Sequence, residues 1–100
     1  MEDVRYKVMD QRIRWKGHMT GEMDLSKLKK GQCAVVRDII ADDSMRRRLQ
    51  DIGLIQGTNV TCVQKSPLGD PTAYLIRGAI IALRQEDSSC VKVKLKIWNS

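Results

Sequence analysis

The residues best suited to metal or thiol chemistry are one histidine and three cysteines, His18, Cys33, Cys62 and Cys90. The cysteines lie far apart, no C-x-x-C pair occurs, and each falls in an apolar stretch. An odd number of cysteines argues against a disulfide framework, and a buried free cysteine usually behaves as a small hydrophobic residue. A metal site would need the three thiols to converge, because the histidine lies in a different kind of segment. We therefore expect no resident metal.

Catalysis would need groups that the sequence supplies poorly. A nucleophile requires a positioned base, and general acid–base catalysis requires paired titratable groups, yet the single histidine lies near the N-terminus. Asp42 and Asp43 are the nearest approach to a carboxylate pair, but they are better explained as a helix cap that also interacts favourably with the helix dipole. Neither G-x-x-x-x-G-K-[ST] nor G-x-G-x-x-G occurs. We expect no enzymatic activity, no nucleotide binding and no cofactor.

The most informative charged cluster is formed by Arg46, Arg47 and Arg48. A helix cap precedes it, and apolar residues recur with the period of a helix from Met45 to Ile52. The pattern predicts a helix of about two turns with the arginines in its first turn, where each opposes the helix dipole by ~0.3–1 kcal/mol. Two interpretations remain open. The arginines form either a solvated face with weak local ion pairs or a contact with an acidic partner.

Five stretches are typical of β-strands and must supply most of the core of so short a chain. In the last stretch, apolar residues alternate strictly with lysines, so that one face is buried and the other is wet. Those lysines would also deter edge-to-edge pairing if this strand lay at a sheet edge. Five short strands with one short helix after the first predict a mostly β fold, a small and partly open barrel. The predicted strands cover residues 33–40, 59–64, 73–77, 79–83 and 91–97.

Residues 1–23 differ in composition from the rest and are interpreted as a charged leader before a barrel domain at 24–100. They hold four of the five methionines. Alternation at 4–8 and 12–16 allows short extra strands, whereas a flexible or loosely docked tail is the simpler interpretation. The formal net charge of +6 is compatible with an acidic partner, a nucleic acid or a membrane surface.

The chain carries no sequence signal for export or membrane insertion. Its longest uninterrupted apolar run is Ala79–Leu83, far shorter than the ~20 residues that span a bilayer. The N-terminus is charged and has no apolar segment of the kind found in secretory signals. We therefore expect a cytoplasmic location.

Several short stretches together carry a family resemblance. They are Leu-Ser-Lys-Leu-Lys-Lys-Gly at 25–31, Ala-Val-Val at 34–36, Arg-Arg-Arg-Leu-Gln-Asp-Ile-Gly-Leu at 46–54, Gly-Thr at 57–58, Ser-Pro-Leu-Gly-Asp-Pro at 66–71 and Arg-Gly-Ala-Ile-Ile-Ala-Leu-Arg at 77–84. In order and spacing they resemble the FeoA family, ferrous iron transport protein A. The resemblance implies an SH3-like β-barrel at about 24–95, a cytoplasmic location, no enzymatic activity and a membrane partner, the ferrous iron transporter FeoB. Ferrous iron binding by the chain itself is expected to be weak or absent, because histidine and clustered carboxylate ligands are missing.

The resemblance also suggests where the partner binds. In the family, the loop at 66–71 borders an apolar groove, so Leu68, an apolar residue among turn formers, is a candidate anchor. FeoB carries a cytosolic GTPase domain, which makes the arginine cluster a candidate contact; donation of an arginine in trans to speed GTP hydrolysis is a further role left open. The predicted partner-binding residues are Arg46, Arg47, Arg48, Leu68, Asp70 and Arg77.

Two other functions compete with this one. The main alternative is a nucleic-acid-binding small β-barrel, which the net charge of +6 and the pI of about 9.5 would suit. Such barrels usually stack bases on aromatic side chains, and aromatic residues make up only 4% of this chain. A regulatory barrel like those joined to iron-dependent repressors would need a helix-turn-helix and metal ligands, for which a leader of 23 residues is too short.

Overall fold

The computed structural model describes residues 18–97, and a single antiparallel sheet of six strands dominates them. The predicted mostly β barrel with one short helix after the first predicted strand is confirmed, and each predicted strand lies within one residue of its expected bounds. The strands are β1 (His18–Asp24), β2 (Cys33–Ile39), β3 (Asn59–Lys65), β4 (Thr72–Ile76), β5 (Ala79–Leu83) and β6 (Val91–Ile97). The helices are α1 (Asp43–Asp51) and α2 (Gln85–Ser88), and a 3-10 turn covers Leu25–Lys27.

The strands follow one another across the sheet in the order β1-β6-β2-β3-β4-β5. The last strand of the chain, β6, therefore lies between β1 and β2 and pairs antiparallel with both. The strands β3, β4 and β5 follow as a meander, and β5 forms the other edge. Since β5 lies at one edge of the sheet and β6 lies beside β2, the connection between them crosses the molecule. This connection contains α2 and passes near α1, the helix that follows β2.

The strand β1 adds a sixth strand to the five predicted. It pairs with β6, where Met23 lies opposite Val93 and Asp24 opposite Lys92. The Lys92 ammonium donates to the Asp24 carboxylate in a partly buried pair. The lysines of β6 therefore belong to an interior strand of the sheet. They do not protect a sheet edge, because β1 pairs with the side of β6 that would otherwise be open. The predicted division between residues 23 and 24 falls within β1, and the strands considered at 4–8 and 12–16 lie outside the described residues.

The core is built from the inward-facing residues of the strands and the residues that close the barrel. The period-2 alternation of strands places every second side chain on the same face, and in β4 the residues Thr72, Tyr74 and Ile76 are all buried. The Tyr74 hydroxyl donates to the Leu25 carbonyl oxygen at 3.3 Å, which fastens the 3-10 turn to the barrel. The buried hydrophobic residues are Leu25, Leu28, Ala34, Val36, Ile39, Leu49, Leu54, Val60, Cys62, Tyr74, Ile76, Leu83, Val91 and Val93.

The helix α1 starts where its cap predicts. The Asp42 carboxylate accepts from the Met45 backbone N–H at 2.8 Å, a typical N-cap bond. The prediction that the arginines occupy the first turn is wrong, because the helix begins at Asp43 and Arg48 already lies in its last turn. A cation near the C-terminus of a helix interacts favourably with the dipole. Leu49 is the fully buried residue by which α1 packs on the core.

Two short connections set the positions of the remaining elements. The predicted strand through Arg77 ends at Ile76, because Arg77 and Gly78 form the turn between β4 and β5 with positive φ angles of 51° and 86°. Two successive positive φ angles are typical of a type I′ hairpin turn. The polar segment after β5 contains the four-residue helix α2. Within residues 18–97, no helix has the length and apolar character needed to cross a membrane.

Candidate partner-binding site

The helix α2 brings together two of the segments predicted to bind a partner. Its Asp87 carboxylate accepts from Arg48 Nη2 of α1 at 2.9 Å. At its other end, the Gln85 backbone N–H donates to the carboxylate of Asp70, in the loop at 66–71, at 2.8 Å. The arginine helix and the loop therefore flank α2 on two sides. We call this region the α2 surface; its exposed members are Arg48, Leu68 and Asp70, together with Arg47, the exposed residue that adjoins Arg48 in α1.

The three arginines of α1 differ in how far they are already engaged. Arg46 lies 3.8 Å from the Asp38 carboxylate on the side towards β2. Arg48 pairs with Asp87, and its Nη2 also lies 3.1 Å from the Met45 sulfur. Exposed ion pairs of this kind stabilise a fold by ~1 kcal/mol or less. Arg47 is exposed and has no ion-pair partner among the described residues, so it is the arginine most available to another molecule.

Leu68 is the most exposed large hydrophobic residue in the described part of the chain, with 94% of its surface accessible. The loop around it is well defined, since the Gly69 N–H donates to the Ser66 carbonyl at 2.8 Å and the Ser66 N–H donates to the Pro71 carbonyl at 3.2 Å. Gly69 adopts a φ of +87°, a conformation that favours glycine. The turn therefore presents Leu68 at its tip, with no core contact that would explain an apolar side chain there.

Asp70 and Arg77 have structural contacts that the sequence did not reveal. The bond from Gln85 makes the Asp70 carboxylate a cap for the start of α2. Arg77 lies at the other end of β4 from the loop, where its aliphatic stem covers Gly53 just after α1. The structure thus places Arg48, Leu68 and Asp70 around α2 and leaves Arg77 apart from them.

Sequence reasoning missed α2 itself and its Asp87. The segment Glu-Asp-Ser-Ser at 86–89 has the polar composition of a turn, yet Ser88 is buried and Asp87 forms an ion pair with Arg48. Acidic residues in the first turn of a helix interact favourably with its dipole, and Glu86 and Asp87 occupy that turn. The two acidic residues that precede two serines are the sequence signal for this helix. It is weak, because a helix of four residues depends on tertiary contacts for its stability.

The three cysteines lie in different environments. Cys33 pairs with Thr61, the neighbour of Cys62, so the Cys33 and Cys62 side chains lie on opposite faces of the sheet. The Cys90 sulfur lies 3.4 Å from the Glu86 carbonyl oxygen. Across the described residues, no group of three or more histidine, cysteine, aspartate or glutamate side chains is arranged to hold a metal ion. Weak or absent ferrous iron binding stays a prediction.

Cys62 should react far more slowly with iodoacetamide than Cys33 or Cys90 in the folded protein. Burial raises the pKa of the Cys62 thiol, an effect that nearby Lys65 only partly opposes, and the thiolate is the reactive form. Cys62 is also inaccessible, whereas the other two are partly exposed. Timed alkylation followed by peptide mass spectrometry measures the three rates, and denaturant should make them similar. Equal labelling of Cys62 and Cys33 in the native state would contradict this placement.

Comparison with known proteins identifies the family. Residues 23–95 match the family model of the FeoA domain. The chain belongs to the FeoA family. A Porphyromonas gingivalis protein, an Fe(2+) transport protein A/Fe(2+) transporter FeoB fusion protein, is 36% identical over 73 residues, which are 73% of this chain. The matched part is only 9% of that relative's length.

Solved FeoA structures share the fold. The FeoA protein from Chlorobium tepidum is 34% identical with a TM-score of 0.68, over 73% of this chain and 70% of that one. FeoA from Stenotrophomonas maltophilia, solved with zinc and described as an SH3 domain protein, is 33% identical with a TM-score of 0.64, over 71% of this chain and 88% of that one. The expected resemblance at about 24–95 and the SH3-like barrel are confirmed.

Proposed function

We propose that this FeoA-family protein is a non-catalytic accessory factor of bacterial ferrous iron uptake, which binds the cytosolic side of a FeoB-type transporter and modulates it. The observation that carries the proposal is the Porphyromonas gingivalis relative, in which the two parts belong to one polypeptide. A covalent link holds two domains at a high effective concentration, which is useful if they act on each other. A cytoplasmic location for this chain follows from that partner.

The α2 surface has the chemistry of a protein-binding site. Arginine is enriched among the residues that contribute most to the binding free energy of protein interfaces. Truncating a well-packed anchor side chain to alanine can weaken binding by ~1–2 kcal/mol or more. Arg47 supplies an unengaged guanidinium, and Leu68 supplies an exposed apolar side chain. The pair would suit an acidic partner surface that contains an apolar pocket.

The nucleic-acid alternative rests on the net charge of +6. Single-stranded nucleic acid binding relies on exposed aromatic side chains on which bases stack. Tyr74 is the sole aromatic residue among residues 18–97, and it is buried with its hydroxyl bonded inside the barrel. The described residues thus supply no exposed Phe, Tyr or Trp on which a base could stack.

We expect Arg47→Ala and Leu68→Ala each to weaken binding to the detergent-solubilised transporter about fivefold to thirtyfold. The Arg47 effect should shrink at high salt, because screening weakens interactions between exposed charges, whereas the Leu68 effect should persist. Binding is measured by surface plasmon resonance with the transporter immobilised, at low and at high salt. The triple variant Arg46→Ala, Arg47→Ala, Arg48→Ala should lose at least as much affinity as Arg47→Ala.

Lys30→Ala and Ile55→Ala are the matched controls, since they remove an exposed cation and an exposed apolar side chain that are not members of the α2 surface. Both should bind like the wild type. If the α2-surface variants also bind like the wild type, the surface assignment is wrong. If the wild type does not bind the transporter but binds RNA with a steep salt dependence, the nucleic-acid function replaces the proposed one.

A further inference from the structure

The strand β5 ends the sheet with one side unpaired. It is hydrogen-bonded to β4 alone within the described part of the chain. The turn of Arg77 and Gly78 makes Ile76 and Ala79 the pair that closes the hairpin, and in such a hairpin this pair exchanges backbone hydrogen bonds. Alternation along the strand then directs the backbone N–H and C=O groups of Ile80 and Ala82 away from β4. These four groups face the open edge.

The side chains of β5 do not protect this edge. Edge strands are commonly guarded by lysine, proline, a bulge or an inward-pointing charge, whereas β5 reads Ala-Ile-Ile-Ala-Leu and pairs with β4 without an irregularity. Ile80 is 60% exposed. Opposite it on the outer face of the sheet lies Leu75 of β4. The edge therefore offers both free backbone groups and an apolar side-chain row.

Arginines stand at both ends of this apolar edge. Arg77 precedes β5 and Arg84 follows it, both are exposed, and neither has an ion-pair partner among the described residues. If β5 of a second copy of the chain paired antiparallel with this edge, Arg77 of each copy would lie near Arg84 of the other, so that cations would face cations. Like charges placed together disfavour an association. The arrangement instead suits a strand that is uncharged in the middle and acidic at each end.

We propose that the β5 edge binds an extended segment of a partner protein as an added strand, with apolar or small residues at its centre and a carboxylate at each end. Main-chain bonds to Ile80 and Ala82 give affinity, Ile80 selects an apolar neighbour, and Arg77 and Arg84 select the acidic ends. The residues of this edge are not members of the α2 surface, although Arg84 immediately precedes α2. A test with peptides in place of the transporter therefore reports on the edge independently of the proposed function.

The test is an NMR titration of the ¹⁵N-labelled full chain with synthetic peptides of about ten residues. The probe alternates valine and threonine and carries a glutamate at each end. Its binding should shift the Ile80 and Ala82 amide signals most. A peptide with lysines at the ends should bind about tenfold or more weakly, because two ion pairs are replaced by repulsion between like charges. A peptide with proline at the central positions should not bind, since proline lacks the N–H.

Variants connect the binding to the edge. Ile80→Lys should abolish binding of the glutamate-ended peptide, whereas Ile40→Lys, at a site of similar exposure (57% against 60%), should leave it unchanged. Arg84→Glu should reduce the preference for glutamate over lysine ends. Equal binding of both peptides to the wild type, or shifts that avoid Ile80 and Ala82, would overturn the proposal. Broadening of these two signals with protein concentration alone would assign the edge to a second copy of the chain.

Discussion

Replacing Leu49 with alanine is expected to lower the free energy of unfolding by about 2–5 kcal/mol. Leu49 is 1% exposed and is the buried residue of α1. Its truncation removes apolar burial and leaves a cavity beneath the helix that carries the arginines. Small domains are stable by only ~5–15 kcal/mol, so this one change removes a large part of the total. Urea denaturation followed by circular dichroism measures the loss.

Leu68→Ala is the matched control, because the same side-chain atoms are removed from a residue that is 94% exposed. Its unfolding free energy should stay within ~0.5 kcal/mol of the wild type. The control also shows that any loss of transporter binding by Leu68→Ala reflects a lost contact and not a lost fold. If the two substitutions destabilise the protein equally, either α1 is not packed on the core or the loop is not exposed.

Replacing Gly53 with alanine should destabilise the protein by roughly 3 kcal/mol, the upper part of the range for a strained backbone position. Gly53 has a φ of +109°, and a Cβ there would lie 2.8 Å from Cδ of Arg77 and 3.1 Å from Cγ2 of Ile76. The substitution therefore adds steric conflict to backbone strain. The Arg77 stem would have to leave the end of α1, which couples this position to the β4–β5 turn. Thermal and urea unfolding both report the loss.

Gly57→Ala separates the two causes. Gly57 also has a positive φ, +92°, but a Cβ there would have no atom within 4 Å. Gly57→Ala should therefore lower the free energy of unfolding only through backbone strain, by roughly 1 kcal/mol. Similar losses for Gly53→Ala and Gly57→Ala would mean that the contact with Arg77 has no energetic weight.

Local patterns in the sequence predict those elements that local interactions stabilise. The cap at Asp42 and the helical spacing of apolar residues locate α1, and strict alternation locates β6 with Val91 and Val93 buried. Each signal lies within a few neighbouring residues. The same is true of the turn that exposes Leu68, where proline and glycine mark the bend.

The remaining elements depend on contacts between distant residues. The strand β1 lies in a charged stretch whose partner is β6, where Lys92 pairs with Asp24 from 68 positions away. The four-residue helix α2 is held by Asp70 and Arg48, neither of which adjoins it in sequence. Propensity is a weak guide for so short a helix. The meeting of the arginine helix and the Leu68 loop at α2 therefore emerges only from the three-dimensional structure.

The most direct test of the central claim, that the α2 surface contacts a FeoB-type transporter, is site-specific photo-crosslinking in membranes. A photoreactive amino acid replaces Leu68 in one protein and Gln56 in another, an exposed residue just before β3, at the other end of that strand from the loop. Crosslinking to the cytosolic domain of the transporter is expected from position 68 and not from position 56. Crosslinking from position 56 alone, or from neither position while the transporter is present, would contradict the claim.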